Sequence, residues 1–225
     1  MPVIEILTSS GVGSLVGMRH ALEPDHLAAV STLVSHERGF KAAWLGLCWG
    51  AGHTLALLAV GASLVFLRSE LPAALATFFE LGVAIMLIGL GLRAISQAAR
   101  QGAAGASWLH RHGWILHRHA GTEPHVHIGS WTLAQRPLII GAIHGLAGSG
   151  ALTALVLATL PSTSARLAYM ALFGLGSAVG MAALSGLMGW PLARLGAHHA
   201  VARGVTLLVG CLSTALGVFW GYRLL

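Results

Sequence analysis

Arg19-His20-Ala21-Leu22-Glu23-Pro24-Asp25-His26 decides the fold: it sets five ionisable side chains and a proline inside an apolar run from Ile6 to Val34. A run of that length is enough to cross the ~30 Å hydrocarbon layer of a bilayer. An ionisable group at mid-membrane costs about 2.5 to 3.5 kcal/mol on insertion scales, so a cluster there needs an internal partner. The partner this residue set points to is a metal ion. Pro24 has no N–H for the carbonyl of His20 and drives Glu23 out of helical geometry, so the helix is expected to break here. A break at membrane depth is tolerated where it is buried in protein or lines a cavity.

Outward from that stretch, 56% hydrophobic and 9% charged residues with a mean hydropathy of +0.77 exclude an ordinary soluble domain, about a quarter of which is charged. The chain reads as an all-α integral membrane protein. Its 30 glycines lie within the apolar segments, as suits helices that pack closely in lipid. The pI of about 10.7 does not indicate nucleic acid, because the basic residues sit singly at segment ends without forming a patch. Cys48 and Cys211 both fall in apolar segments and suggest no disulfide framework. The start, Met1-Pro2-Val3-Ile4-Glu5, lacks a basic leader region, so the first helix is expected to remain.

Apolar length and breakers mark six transmembrane segments, at 6–35, 41–67, 72–95, 137–160, 166–190 and 200–224. Pro72, Pro137 and Pro191 fall at or near their boundaries. They divide the chain into a three-helix unit over 1–97, a polar histidine-rich loop over 98–136 and a second three-helix unit over 137–225. Loops after the odd segments carry Arg38, Lys41, Arg93, Arg100, Arg111, Arg118, Arg136, Arg194 and Arg203; the other side carries Arg68, Arg166 and Arg223. The positive-inside rule makes the histidine loop cytoplasmic and puts both termini outside.

The halves resemble each other. Gly17-Met18-Arg19-His20-Ala21-Leu22 lies on Gly141-Ala142-Ile143-His144-Gly145-Leu146, pairing His20 with His144, and both third segments end in Gly-x-Arg, at Gly91 to Arg93 and Gly221 to Arg223. Three being odd, such a repeat is inverted in the membrane. The expected architecture is therefore two inverted three-helix repeats, with the first helix of each half broken, at Pro24 and at the glycines of Gly145 to Gly150.

In an unbroken helix His20 and Asp25 would lie about 140° apart. A break lets His20, Asp25 and His26 turn to one point, with the His20 carbonyl as a further oxygen. Arg19 and Glu23, four residues apart, would neutralise one another, leaving Asp25 as the anionic ligand. The next segment adds His53 in Trp49-Gly50-Ala51-Gly52-His53-Thr54, and the fourth adds His144 followed by Gly145, Gly148, Ser149 and Gly150. A lone buried histidine is usually a hydrogen-bonded core residue; His20, Asp25, His26, His53 and His144 together read as a metal site. Imidazole with a carboxylate and no thiolate suits borderline divalent ions such as nickel, cobalt and zinc.

His20-x4-Asp25-His26 followed by Gly52-His53-Thr54 resembles the signature of the nickel/cobalt transporter superfamily. The flanking run from His20 to Leu33 looks especially like its six-helix branch, which includes the nickel permeases associated with urease. The resemblance implies that His20, Asp25, His26 and His53 recognise the metal, with Ni2+ or Co2+ as cargo. It also implies a multi-pass protein of the bacterial cytoplasmic membrane that serves a metallochaperone or a urease or hydrogenase maturation system. Larger permeases of the superfamily carry Asp-Thr motifs where this chain has His144 and Ser149. Family members include importers and exporters.

Two features lie outside that match. His110, His112, His117, His119, His125 and His127 crowd the long loop, several at i, i+2 spacing, and read either as a loose cytosolic chelator or as a soluble linker. Trp108, Trp114 and Trp131 would hold the loop at the interface. Glu80, two turns into the third segment, reads either as the carrier of a coupling proton or as a helix-end carboxylate. Three functions compete: a secondary transporter of a divalent transition metal, a metal-dependent intramembrane enzyme with Glu23 as base, and a membrane-bound metal sensor or accessory subunit. Against the enzyme stands the lack of a His-Glu-x-x-His pair, and no Gly-x4-Gly-Lys-Ser/Thr segment for ATP is visible.

Overall fold

The computed structural model describes residues 2–34, 39–100, 108–112, 115–119, 125–128, 131–160, 162–195 and 199–224. Within them the chain forms helices α1 (Pro2–His20), α2 (Pro24–Val34), α3 (Gly39–Leu67) and α4 (Ala73–Arg100). Strands β1 (Trp108–His112), β2 (Ile115–His119), β3 (His125–Ile128) and β4 (Trp131–Ala134) follow, then α5 (Gln135–Thr159), α6 (Thr163–Leu195) and α7 (His199–Arg223). Four of these are long and apolar enough to cross a membrane: Gly39–Leu67, Ala73–Ala99, Thr163–Pro191 and Ala200–Arg223. Large apolar side chains such as Leu15, Phe66, Leu187 and Leu208 are exposed, while Asp25, His26, His53, His144, Ser177 and Ser213 are buried. That inside-out distribution belongs to an α-helical membrane protein, whose solvent is apolar.

The expected break is present in the first segment. At the end of α1 the hydrogen bonds shorten to i→i+3, with Leu22 N–H donating to Arg19 O at 2.9 Å and Glu23 N–H to His20 O at 3.0 Å. Pro24 then opens α2 at the first helical position, where an N–H would have no partner. Helical bonding resumes with Leu27 N–H to Glu23 O at 2.9 Å.

Three expectations are corrected. The fourth segment does not break: α5 runs unbroken through Gly145, Gly148 and Gly150, because glycine, unlike proline, keeps its N–H. Pro191 does not end the fifth segment, since α6 continues one turn past it to Leu195; a lone proline costs a helix one hydrogen bond without ending it. The chain is not wholly helical either, for the histidine loop carries two antiparallel hairpins, β1 with β2 and β3 with β4.

The bundle is held by α3 packed on α5 and α6, α1 on α6, and α4 on α7. Close approach rests on glycine where α3 meets α5: a Cβ added at Gly52 would overlap the Leu138 carbonyl, and one at Gly145 the His53 carbonyl. Two apolar clusters form, one around Val30, Trp49, Leu87 and Met181, the other around Leu57, Val156, Met170 and Phe173. Both α3 and α5 pass from the first to the second, and His53 and His144 lie between.

Candidate metal centre

The helix break and two long helices aim four imidazoles and one carboxylate at a single region. His20 ends α1, Asp25 and His26 open α2, His53 is the central residue of α3, and His144 lies on α5. The ring centroids of His20 and His26 are 4.5 Å apart, those of His20 and His53 5.2 Å, and those of His26 and His53 5.5 Å. His26 and His144 stack at 4.3 Å with 25° between their planes. Ligand atoms of His20, His26 and His53 all lie within 4.8 Å of one another, as do those of Asp25, His26 and His144. The five residues expected to form the site are thus together.

Their hydrogen bonds differ from those expected. Asp25 Oδ1 accepts the backbone N–H of His26 at 2.9 Å and lies 3.0 Å from His26 Nδ1, while Oδ2 lies 3.1 Å from His144 Nε2. Both carboxylate oxygens are therefore engaged by imidazoles. Glu23, expected opposite Arg19, has Oε1 3.0 Å from His20 Nδ1. The His20 carbonyl, expected as a free oxygen, accepts the Glu23 N–H.

A carboxylate against Nδ1 holds the proton there and leaves the lone pair on Nε2. His20 and His26 share that arrangement, and the Nε2 of each is buried without a hydrogen-bond partner among the described residues. Both ring nitrogens of His53, and Nδ1 of His144, are buried and unpartnered as well. Each such atom costs on the order of 1 to 3 kcal/mol if left so. Access is one-sided: the His26, His53 and His144 rings are enclosed, whereas the side chain of His20 is 15% and that of Glu23 53% exposed.

Two aromatic walls had no role assigned from sequence. Trp49 lies 5.4 Å from His26 and 5.6 Å from His144, and Phe173 lies 5.2 Å from His20, all between ring centroids. Trp49 precedes His53 by four residues, hence on one helix face, which was a usable signal. The overlay that puts Gly17 on Gly141 also puts Trp49 on Phe173. Of the other candidates, Glu80 is half-buried on α4 and belongs to neither cluster. The side chains of Ser149 and of the six loop histidines lie outside the described residues.

Fold and centre together define an α-helical membrane protein with a buried polyhistidine site at a helix break. The chain is similar over all 225 residues to the urease accessory protein UreH of a Bacillus species (strain TB-90), at 29% identity and covering 95% of that protein. It is also 25% identical over 187 residues to chloroplast protein FOR GROWTH AND FERTILITY 2 of Arabidopsis thaliana, and 26% identical over 196 residues to FOR GROWTH AND FERTILITY 1. These matches take in 82% and 81% of the chain but 48% and 50% of the two plant proteins. No family model matches the chain, and no solved structure does.

Proposed function

We propose that the chain is a secondary transporter of a divalent transition metal, nickel in the first instance, which is bound as substrate by His20 Nε2, His26 Nε2 and a ring nitrogen of His53. The observation that carries this reading is the set of three imidazoles whose buried nitrogens have unused lone pairs, two of the rings held in one tautomer by carboxylates. Nitrogens around a tetrahedral ion at ~2.1 Å lie about 3.4 Å apart. The ligand atoms of the three rings lie within 4.8 Å of one another, so the site closes by no more than about 1.4 Å to grip a cation. Nitrogen donors without thiolate favour borderline ions, which takes in cobalt and zinc beside nickel. Asp25 and His144 then form the support: Asp25 sets the orientation of His26 and lends negative charge without being the main ligand.

Six spans in two inverted repeats, with α1 and α2 forming the first and α5 the fourth, are supported by an exchange of contacts. The overlay of Gly17 on Gly141 sends the pair His20 and Phe173 onto His144 and Trp49, and the close approach of Gly17 to Phe173 onto that of Gly141 to Trp49. The helix pairs follow: α1 on α6 becomes α5 on α3, while α4 on α7 maps onto itself. A site between such repeats is exposed to either side by rocking of one against the other. The basic residues orient the hairpins to the cytoplasm of a bacterial inner membrane, and the likeness to a urease accessory protein supports urease maturation as the destination of the metal.

Flux of radiolabelled nickel and cobalt in liposomes containing this chain alone, as wild type and as His20→Ala, tests the reading. Wild-type flux that His20→Ala removes is expected. The name of that relative favours a second reading, an accessory subunit that binds metal without moving it; binding without flux would select it.

A further inference from the structure

The centre holds two groups of ligand atoms, and His26 belongs to both: His20, His26 and His53 in one, Asp25, His26 and His144 in the other. Only the first reaches the surface, through His20 and Glu23, whereas His144 is 2% exposed. The second is already near ligand spacing. Asp25 Oδ2 and His144 Nε2 lie 3.1 Å apart, against about 3.4 Å for two donors on a tetrahedral ion at ~2.1 Å. Nδ1 of His144 is buried without a partner among the described residues. Between the groups there is room: a Cβ added at Gly148 would meet His20 Nε2 at 4.0 Å and nothing nearer. Gly148 follows His144 by four residues and so shares its face of α5. The bare nitrogen of His20 therefore lies against the face that carries His144, one turn away.

We propose that Asp25, His26 and His144 form a second position for the same divalent cation, taken up when the centre faces the opposite side of the membrane, so that His144 replaces His20 as the ligand next to water. This second position rests on the transporter reading, whose site it shares. The exchange follows from the repeat, in which the overlay pairs His20 with His144. In addition to the contacts of Gly17 and Gly141, it carries the close approach of Gly52 to the Leu138 carbonyl onto that of Gly176 to the Ser14 carbonyl. Rocking of inverted repeats swaps the surroundings of paired residues. His144 then acquires the opening that His20 has here, and His20 the enclosure of His144. The second repeat has no complete ligand set of its own, since Ser149 and Gly150 fall on Asp25 and His26 in the overlay. Ser177 falls on His53, and its hydroxyl donates to the Gly17 carbonyl at 3.1 Å. Asp25 and His26 therefore serve the second position from the first repeat, and the sharing of His26 makes the two positions alternative, one ion at a time. When the cation takes Nε2 of His144, the ring proton moves to Nδ1, whose hydrogen bond is accepted by water on the newly opened side.

The full chain in liposomes, supplied with Ni2+, tests this. A His144 that only supports Asp25 would, on change to alanine, raise the nickel concentration for half-maximal flux and leave the maximal rate, as loss of uniform binding does. As the second ligand, His144→Ala is expected to keep nickel binding in micelles within about 10-fold of wild type, while flux at saturating nickel falls to background. His144→Cys, which restores a ligand, is expected to recover flux. Unchanged maximal flux in His144→Ala would overturn the proposal, as would loss of binding and flux together in both variants. A second measurement needs no metal: His20→Cys and His144→Cys, each combined with Cys48→Ala and Cys211→Ala, meet a membrane-impermeant thiosulfonate from either side of oriented vesicles. His20→Cys is expected to react from one side and His144→Cys from the other. Reaction of both from the same side, or none at position 144, refutes the exchange. Wild type without nickel flux would instead remove the transporter reading, so the two failures are told apart.

Discussion

Replacing Asp25 by asparagine tests whether the carboxylate acts through His26 or on the cation directly. The amide side chain keeps the shape and one oxygen, so the bonds from the His26 backbone and Nδ1, at 2.9 and 3.0 Å, have an acceptor still. It loses the charge, and its NH2 group faces His144 Nε2, which in the native chain lies 3.1 Å from Oδ2. Orienting partners of metal-bound histidines are worth about 10–100-fold in affinity, or ~1.4 to 2.7 kcal/mol. Nickel titrations by calorimetry in micelles are therefore expected to give a Kd about 10–100 times weaker for Asp25→Asn, with helical content unchanged. The decisive comparison is a double-mutant cycle with His26→Gln. If Asp25 works by orienting His26, Asp25→Asn has little further effect once the imidazole is gone, and the coupling energy approaches the full single-mutant cost. Additive losses would refute the reasoning and make Asp25 an independent ligand.

Pro24→Ala restores the missing N–H and lets α1 run into α2; on one continuous helix His20 and His26 lie about 120° apart, so nickel binding is expected to vanish while circular dichroism shows no loss of helix. Gly145→Val drives a side chain into the His53 carbonyl and is expected to lower stability by about 1 to 3 kcal/mol, whereas Gly89→Ala, which meets nothing within 4 Å, is neutral or stabilising by up to ~1 kcal/mol; thermal melts in detergent compare them. Arg68 closes α3 in a left-handed conformation, φ 50°, with Ser69 N–H bonded to Leu64 O and Arg68 N–H to Val65 O. Since a side chain there costs about 1 to 2 kcal/mol, Arg68→Gly is expected to raise the melting temperature. Glu80→Gln is expected to leave nickel affinity unchanged, because Glu80 lies outside both clusters; if it carries a coupling proton, the pH dependence of flux flattens instead.

Much of the centre was legible from residues alone because polar groups in an apolar chain have few tolerable positions. His20, Asp25, His26, His53 and His144 stand out by being costly where they are, and Pro24 marks the break because the missing N–H is a property of the residue. Roles within the cluster were not legible in that way. Arg19 and His20 both stand near Glu23 in sequence, and only the turn at residues 20–24 makes His20 its partner. Asp25 is an evident ligand on paper, yet His144, 119 positions later, takes one of its oxygens.

What the order of residues determined by itself is the class of the molecule and the break: hydropathy sets where chain can lie in lipid, and a proline cannot donate. Which nitrogen of each imidazole is left bare, and which aromatic rings enclose it, was decided only by the packing of α1, α2, α3 and α5. Those are distances between segments far apart in the chain, governed by where glycines let backbones touch.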